Sequence, residues 1–138
     1  MIIHYSDSYI EEIFKKVKTI AVVGASANQD RASYKVMQVL MQHGYQIFPI
    51  NPNEEGNLIL GQPCYADLSS VSGKIDMVDI FRAADAVIGL TREAIAIEAK
   101  VLWTQLGIVN QEAAELAEQA GLKVIMNRCP KIELAKLY

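Results

Sequence analysis

Arginine is scarce in this chain: of 138 residues only Arg31, Arg82, Arg92 and Arg128 carry a guanidinium. Histidine and cysteine are scarcer still, with His4, His43, Cys64 and Cys129 the full complement. The two cysteines lie far apart and share no ligand spacing with the histidines, so neither a zinc motif nor a disulfide framework is expected. No Ser-His-Asp set and no carboxylate pair is expected to converge on a cleft, which leaves acid–base catalysis without obvious players. No apolar run approaches the roughly 18 residues of a membrane span. The start, Met1 to Asp7, lacks the basic stretch and apolar block of a signal peptide, so a cytoplasmic location is expected. A net charge of -3 argues against non-specific binding to nucleic acid or to an anionic membrane. What is present is an ordinary globular composition, 51% hydrophobic and 21% charged, without repeats or low-complexity tracts. That length and composition predict one domain over residues 1–138.

The pattern along the chain alternates between strand and helix. Ser6-Asp7-Ser8 reads as a cap with Glu11 and Glu12 in the first turn, and Ile10, Ile13, Phe14 and Val17 recur at helical spacing. Thr19 to Gly24 is an uninterrupted apolar run of the kind buried on both faces of a parallel sheet. A helix follows, with Val36, Val39 and Leu40 on its inner face and Gly44 as its stop. Gln46–Ile50 reads as the second strand, with Pro49 casting doubt on its far end because proline cannot donate to a ladder. Cys64-Tyr65 reads as a short third strand and Ile75–Phe81 as a fourth. Ala83–Ala99 reads as a helix, Val101–Thr104 as a strand and Gln111–Ala120 as a helix stopped by Gly121. A last strand over Lys123–Met126 and a short helix from Pro130 complete the chain. Such alternation predicts an α/β, Rossmann-like doubly wound, mostly parallel sheet of five to six strands with helices on both faces.

In such a sheet, ligands bind beyond the carboxyl ends of the strands. Three of the four arginines, Arg31, Arg82 and Arg128, fall at those ends, and guanidinium matches phosphate oxygens in a bidentate way. The competing reading pairs each with an acid such as Asp30 or Asp85. The loop Gly24-Ala25-Ser26-Ala27-Asn28-Gln29-Asp30-Arg31 leads into a helix whose free amides and macrodipole suit a phosphate. Gly24 permits a tight turn, the small residues after it let a ligand approach the backbone, and Ser33 is expected as the helix cap. Only the first glycine of G-x-G-x-x-G is present, and the second strand ends in Asn51-Pro52 rather than in an acid for a ribose hydroxyl, which disfavours NAD. Asn51-Pro52 either walls an adenine slot or is a plain strand-ending turn. Trp103 is expected in the core, while Gln105 just beyond it is a site candidate. Cys129 beside Arg128 is either a thiol activated by that charge or a buried inert one.

At these same segments the chain resembles the small CoA-binding proteins related to the nucleotide-binding domain of succinyl-CoA synthetase α subunits. The resemblance is carried by Val22–Ser26, Arg31–Val36, Gly44–Asn53, Gly61–Tyr65, Asp76–Arg82, Trp103–Ile108, Gly121-Leu122 and Asn127–Cys129. It implies coenzyme A or an acyl-CoA as ligand, with the diphosphate along Ser26 to Arg31. The adenine would lie near Asn51-Pro52, and the pantetheine would run past Phe81-Arg82 toward Gln105. The synthetase has a lysine shortly after the proline of the second-strand turn. Here Asn53 and Glu54 stand there, and Arg31 or Lys35 would have to replace that contact. The synthetase catalyses through a phosphohistidine on a second domain with a partner subunit. The resemblance covers its first domain only and therefore implies a CoA-binding module without the ligase apparatus, acting alone, as a homo-oligomer or with a protein partner. Two alternatives stay open: a thiol-redox enzyme or sensor forming a Cys129–CoA mixed disulfide, and an NAD-dependent oxidoreductase.

Overall fold

A computed structural model describes residues 4–138; Met1 to Ile3, part of the segment read for a leader, lie outside them. The chain folds as α1 (Asp7–Lys16), β1 (Thr19–Val23), α2 (Ala32–Gln42), β2 (Gln46–Ile50), a short hairpin of β3 (Leu58–Ile59) and β4 (Gln62–Pro63), and β5 (Met77–Ile80). It continues as α3 (Val87–Ala96), β6 (Val101–Thr104), α4 (Gln111–Gln119), β7 (Lys123–Ile125) and α5 (Pro130–Leu137). Five strands form one parallel sheet in the order β2-β1-β5-β6-β7. The winding therefore starts at β1, goes outward to β2, and returns across β1 to β5. The reversal of direction falls between β1 and β5, where a ligand cleft opens in folds of this kind. The expected Rossmann-like α/β architecture is the one observed, with five main strands.

Both faces are covered, which explains the unbroken apolar runs. Ile10, Ile13 and Phe14 of α1, Val36, Met37 and Leu40 of α2, and Leu134 of α5 pack on one face with Val22, Met77 and Trp103. Val87 and Ala94 of α3 and Ala113 and Ala117 of α4 pack on the other with Ala21, Val78, Ile80 and Leu102. The inner face of α2 also includes Met37, and Val39 is partly buried against the same core. Trp103 is fully buried, as expected, and its indole Nε1 donates to the Arg128 carbonyl at 2.9 Å.

The sheet edges are treated differently. Pro49 sits in edge strand β2 with its carbonyl turned outward to accept from Tyr65 N at 2.9 Å. Its ring nitrogen faces the same outer side, so no bond to β1 is lost and the strand continues to Ile50. At the opposite edge, Tyr9 of α1 and Tyr5, just before its cap, bring two phenols to the outer side of β7 and the residue after it. Tyr9 Oη donates to Val124 O at 3.2 Å and accepts from Val124 N at 3.0 Å, and Tyr5 Oη accepts from Met126 N at 2.8 Å. These hydroxyls satisfy backbone groups that an open edge would leave free to recruit another strand.

Several local expectations are corrected. Ser6 caps α1 by accepting from Tyr9 N at 3.2 Å, but the acid of the first turn is Asp7. Glu11 and Glu12 lie one turn later and pair at i,i+4 with Lys15 and Lys16. Cys64-Tyr65 is not a strand: Tyr65 makes one isolated parallel bridge to Ile50, and the local pairing is the β3–β4 hairpin. The helix expected over Ala83–Ala99 begins as a 3-10 turn (Ala84–Ala86), becomes α3 at Val87 and ends at Ala96, with Glu98 left-handed at φ 61. Ser33 does not cap α2. Arg31 occupies the N-cap position, and Ser33 is a buried residue of the first turn, 4% exposed. Ala32, with nothing to offer as a cap, is a better first helical residue than a turn residue, so the helix starts two positions earlier than a Ser33 cap would allow.

Candidate functional site

The ends of β1, β2 and β5 surround a cavity of about 600 Å³, lined in part by Gly24, Arg31, Asn51, Pro52, Phe81 and Arg82. A smaller recess of about 190 Å³, which shares Gly24, Arg31 and Phe81 with it, reaches Ala32 and Ser33 at the start of α2. Gly24 shapes this junction. Its φ is +91°, and a Cβ there would sit 2.5 Å from the Phe81 carbonyl oxygen. The close approach of the β1 and β5 exits therefore requires glycine on two counts.

The first loop is braced by its own polar groups. Ser26 Oγ accepts from Asn28 N at 3.0 Å, Asn28 Oδ1 accepts from Asp30 N at 2.9 Å, and Arg31 N donates to Asn28 O at 3.1 Å. Ala25, buried, ties back through its N–H to Ile50 O at 3.2 Å. Asn51 links the two strand exits: Nδ2 donates to Ala25 O at 2.8 Å, and Oδ1 accepts from Asn53 N at 2.9 Å to start the 3-10 turn Pro52–Glu54. Its side chain is thus occupied in holding the cleft's shape, while Pro52 lines the cavity.

Against this braced frame, the N-terminus of α2 carries no side-chain cap. The first amides of a helix have no intrahelical acceptor, and together with the macrodipole they favour an anion. Arg31 and Arg82 are exposed, and among the described residues no acid lies within ion-pair distance of either. The pairing with Asp30 or Asp85 that would have made them plain surface charges is not formed.

Other candidates lie elsewhere. Ala27, Gln29 and Lys35 do not line the cavity; Gln29 and Lys35 are exposed near it in sequence. Gln105 follows β6, donates its N–H to Ile80 O at 3.1 Å, and holds a buried Oε1 without a donor among the described residues. Arg128 lies over the Tyr5 ring at 5.3 Å and donates to Asn127 O at 2.9 Å. Cys129, at the N-cap of α5, is 6% exposed and packed in the core beside Trp103 and Leu134, a placement that denies it the access an activated thiol needs.

Sequence reasoning missed part of the lining: Ala66, Asp67 and Leu68 from the segment after Tyr65, and Leu90 and Glu93 from α3. A carboxylate pair does converge on the cleft. Asp67 Oδ1 accepts from Ser70 Oγ at 2.6 Å, Ser70 N at 2.9 Å and Ser69 Oγ at 3.0 Å, bonds that hold its carboxyl below the usual range. Partial burial, and then the Asp67 charge, push the Glu93 carboxyl upward. The Asp-Leu-Ser-Ser cap is readable in the sequence; that its turn packs against α3 is not.

An uncapped helix start, exposed cations and a braced glycine turn at the switch point of a Rossmann-like sheet define a nucleotide-binding type of domain. Residues 18–135 match the CoA binding domain family, and the chain belongs to that family. It is 37% identical over 127 residues to the uncharacterized protein YneT of Bacillus subtilis, covering 92% of this chain and 93% of that protein. A Thermus thermophilus structure, cell-free ID.343, superimposes with a TM-score of 0.92 at 29% identity, covering 97% of this chain and 100% of that one. The acetate–CoA ligase (ADP-forming) I of Archaeoglobus fulgidus is 27% identical over 124 residues, 81% of this chain but only 18% of the ligase. No helix among the described residues is long and apolar enough to cross a membrane.

Proposed function

We propose that this chain binds coenzyme A or an acyl-CoA in the cleft at the carboxyl ends of β1, β2 and β5. The observation that carries the reading is the uncapped start of α2 opening, beside unpaired Arg31 and Arg82, onto the same cavity as Pro52. In this reading the first amides of α2 and Arg31 would hold the diphosphate. The slot between Pro52 and the Ala66–Leu68 segment would hold the adenine. Phe81 and Arg82 would guide the pantetheine toward Gln105. The bound group supplies a thioester-forming thiol; the chain's own residues bind and orient it. The residues fit such a ligand because the frame is rigid where the backbone must be approached, at Gly24, and unsatisfied where charge must be met. Family membership supports CoA over a nicotinamide nucleotide, and so does Asn51 at the position where a ribose-binding acid would stand.

Isothermal titration of the purified chain with CoA, acetyl-CoA, NAD and ATP tests this. Saturable heat with CoA and none with NAD is expected, accompanied by a thermal shift worth about 2.7 kcal/mol at 100 times the dissociation constant. Absence of both heat and shift with millimolar CoA overturns it.

A further inference from the structure

Resting on the CoA reading, we infer that Glu93, with Asp67 beside it, accepts hydrogen bonds from the exocyclic amine of the ligand's base and so makes the cleft selective for adenine. The cavity carries two chemistries. The recess at the start of α2 is lined by Gly24, Arg31, Ala32, Ser33 and Phe81 and by no acid. The carboxylates of Asp67 and Glu93 line only the larger part, together with Pro52, Leu68 and Leu90. Like charges repel, so a phosphate seated against those carboxylates is disfavoured, and the polyanionic part of a ligand is directed to the recess. What remains is a slot with the apolar walls Pro52, Leu68 and Leu90, in which the carboxyls of Asp67 and Glu93, when ionised, are purely acceptors beside the donors Asn51, Asn53 and Arg82.

The two carboxylates are not equivalent. Three bonds from Ser69 and Ser70 occupy Asp67 Oδ1 and fix that side chain in place. The Glu93 carboxylate makes no hydrogen bond or ion pair among the described residues, although it is partly withdrawn from water and faces the Asp67 charge. A donor from the ligand satisfies it. A flat apolar ring that brings an N–H₂ group to that point is an aminopurine, whereas a ring with an oxo group there sets acceptor against acceptor. The 3-10 turn at Leu68–Ser70 packs directly on α3, which holds the two acids at one place in the slot.

The test is titration of the full chain with CoA, with deaminated CoA carrying hypoxanthine in place of adenine, and with adenosine 3′,5′-bisphosphate. Wild type is expected to bind CoA about tenfold or more tightly than the deaminated form, the worth of one hydrogen bond to a charged group. Glu93→Gln, an exposed change whose amide can donate to an oxo group, is expected to bring the two within about threefold. The bisphosphate is expected to lose the same factor as CoA in that variant. Equal wild-type affinity for CoA and its deaminated form overturns the inference while leaving CoA binding intact. A Glu93→Gln loss seen with CoA but not with the bisphosphate also overturns it, assigning the residue to the pantetheine amides. No binding of CoA by wild type removes both this inference and the reading beneath it.

Discussion

The exits of β1, β2 and β5 and the exits of β6 and β7 begin from the same kind of sequence, a strand ending near an arginine and an asparagine, and they finish as opposites. At the β6–β7 corner most polar groups close on one another, the buried Gln105 Oε1 excepted. Thr104 Oγ1 donates to Ile108 O at 2.6 Å and accepts from Asn127 N at 3.3 Å. Asn127 Oδ1 accepts from Gly107 N at 2.7 Å, and Arg128 is spread over the Tyr5 ring. At the β1–β2–β5 corner the backbone is just as firmly braced, but among the described residues the side chains of Arg31, Arg82 and Glu93 have no partner and the start of α2 has no side-chain cap. The lesson is physical. A polar group that already has its bonds gains little from a ligand, while an exposed one exchanges water for the ligand and gains the net of that exchange, about 1 kcal/mol and more where charge is involved.

The largest effect should come from breaking the frame of the open corner. Gly24→Ala puts a Cβ 2.5 Å from Phe81 O on a left-handed backbone. It is expected to cost about 2–4 kcal/mol in urea unfolding and to abolish CoA binding. Wild-type stability in that variant would mean that the strand exits can separate freely.

Next is the contrast between arginines. Arg31→Ala and Arg82→Ala are each expected to weaken CoA about tenfold by calorimetry. Arg128→Ala should leave affinity within about twofold and lower the melting temperature instead. An affinity loss in Arg128→Ala as large as in the other two would erase the distinction between the corners.

A third measurement concerns the central strand between them. Asp79, on β5, is fully buried, and neither carboxylate oxygen has a partner among the described residues, so burial raises its pKa well above the ordinary value. Below the unfolded-state pKa near 4 both states are protonated and nothing is lost. As pH rises beyond it the unfolded chain ionises first, and the stability held by the neutral carboxyl declines until the folded-state pKa is reached. Urea unfolding should therefore show a contribution that falls with pH by up to about 1.4 kcal/mol per unit, absent in Asp79→Leu. The same pH slope in both proteins would clear Asp79 of that role.

The smallest effect is expected at Cys129. Cys129→Ser should leave CoA affinity within about twofold, and mass spectrometry of the native chain with CoA disulfide should show no reductant-sensitive adduct on Cys129. Such an adduct would revive the thiol reading.

Much of the fold was legible because its signals are local. Val101–Thr104 matched the observed strand residue for residue, and the glycine stops at Gly44 and Gly121 are both left-handed, at φ 91 and 92. The cap of α2 was misread because Ser33 is a good cap by type, while the actual choice depended on where Arg31 emerges from the loop. Of the residues that line the cavity, Gly24, Arg31, Asn51, Pro52, Phe81 and Arg82 are legible from strand ends, and Asp67 and Glu93 are not. Glu93 shares the cavity lining with Leu90 one turn before it, but spacing within a helix does not say which strand exit that face meets.

The sequence by itself determined the alternation of buried strands and amphipathic helices, and hence a parallel sheet with its polar residues gathered at the strand exits. Periodicity is a property of neighbours along the chain, so it survives without the fold. Which exits pair, which arginine stacks on a tyrosine and which stays free, and that Cys129 is enclosed were decided only by the order β2-β1-β5-β6-β7. Burial and hydrogen-bond satisfaction depend on partners distant in sequence, Tyr5 to Met126 and Asn51 to Ala25 among them, and no single stretch of the chain contains both.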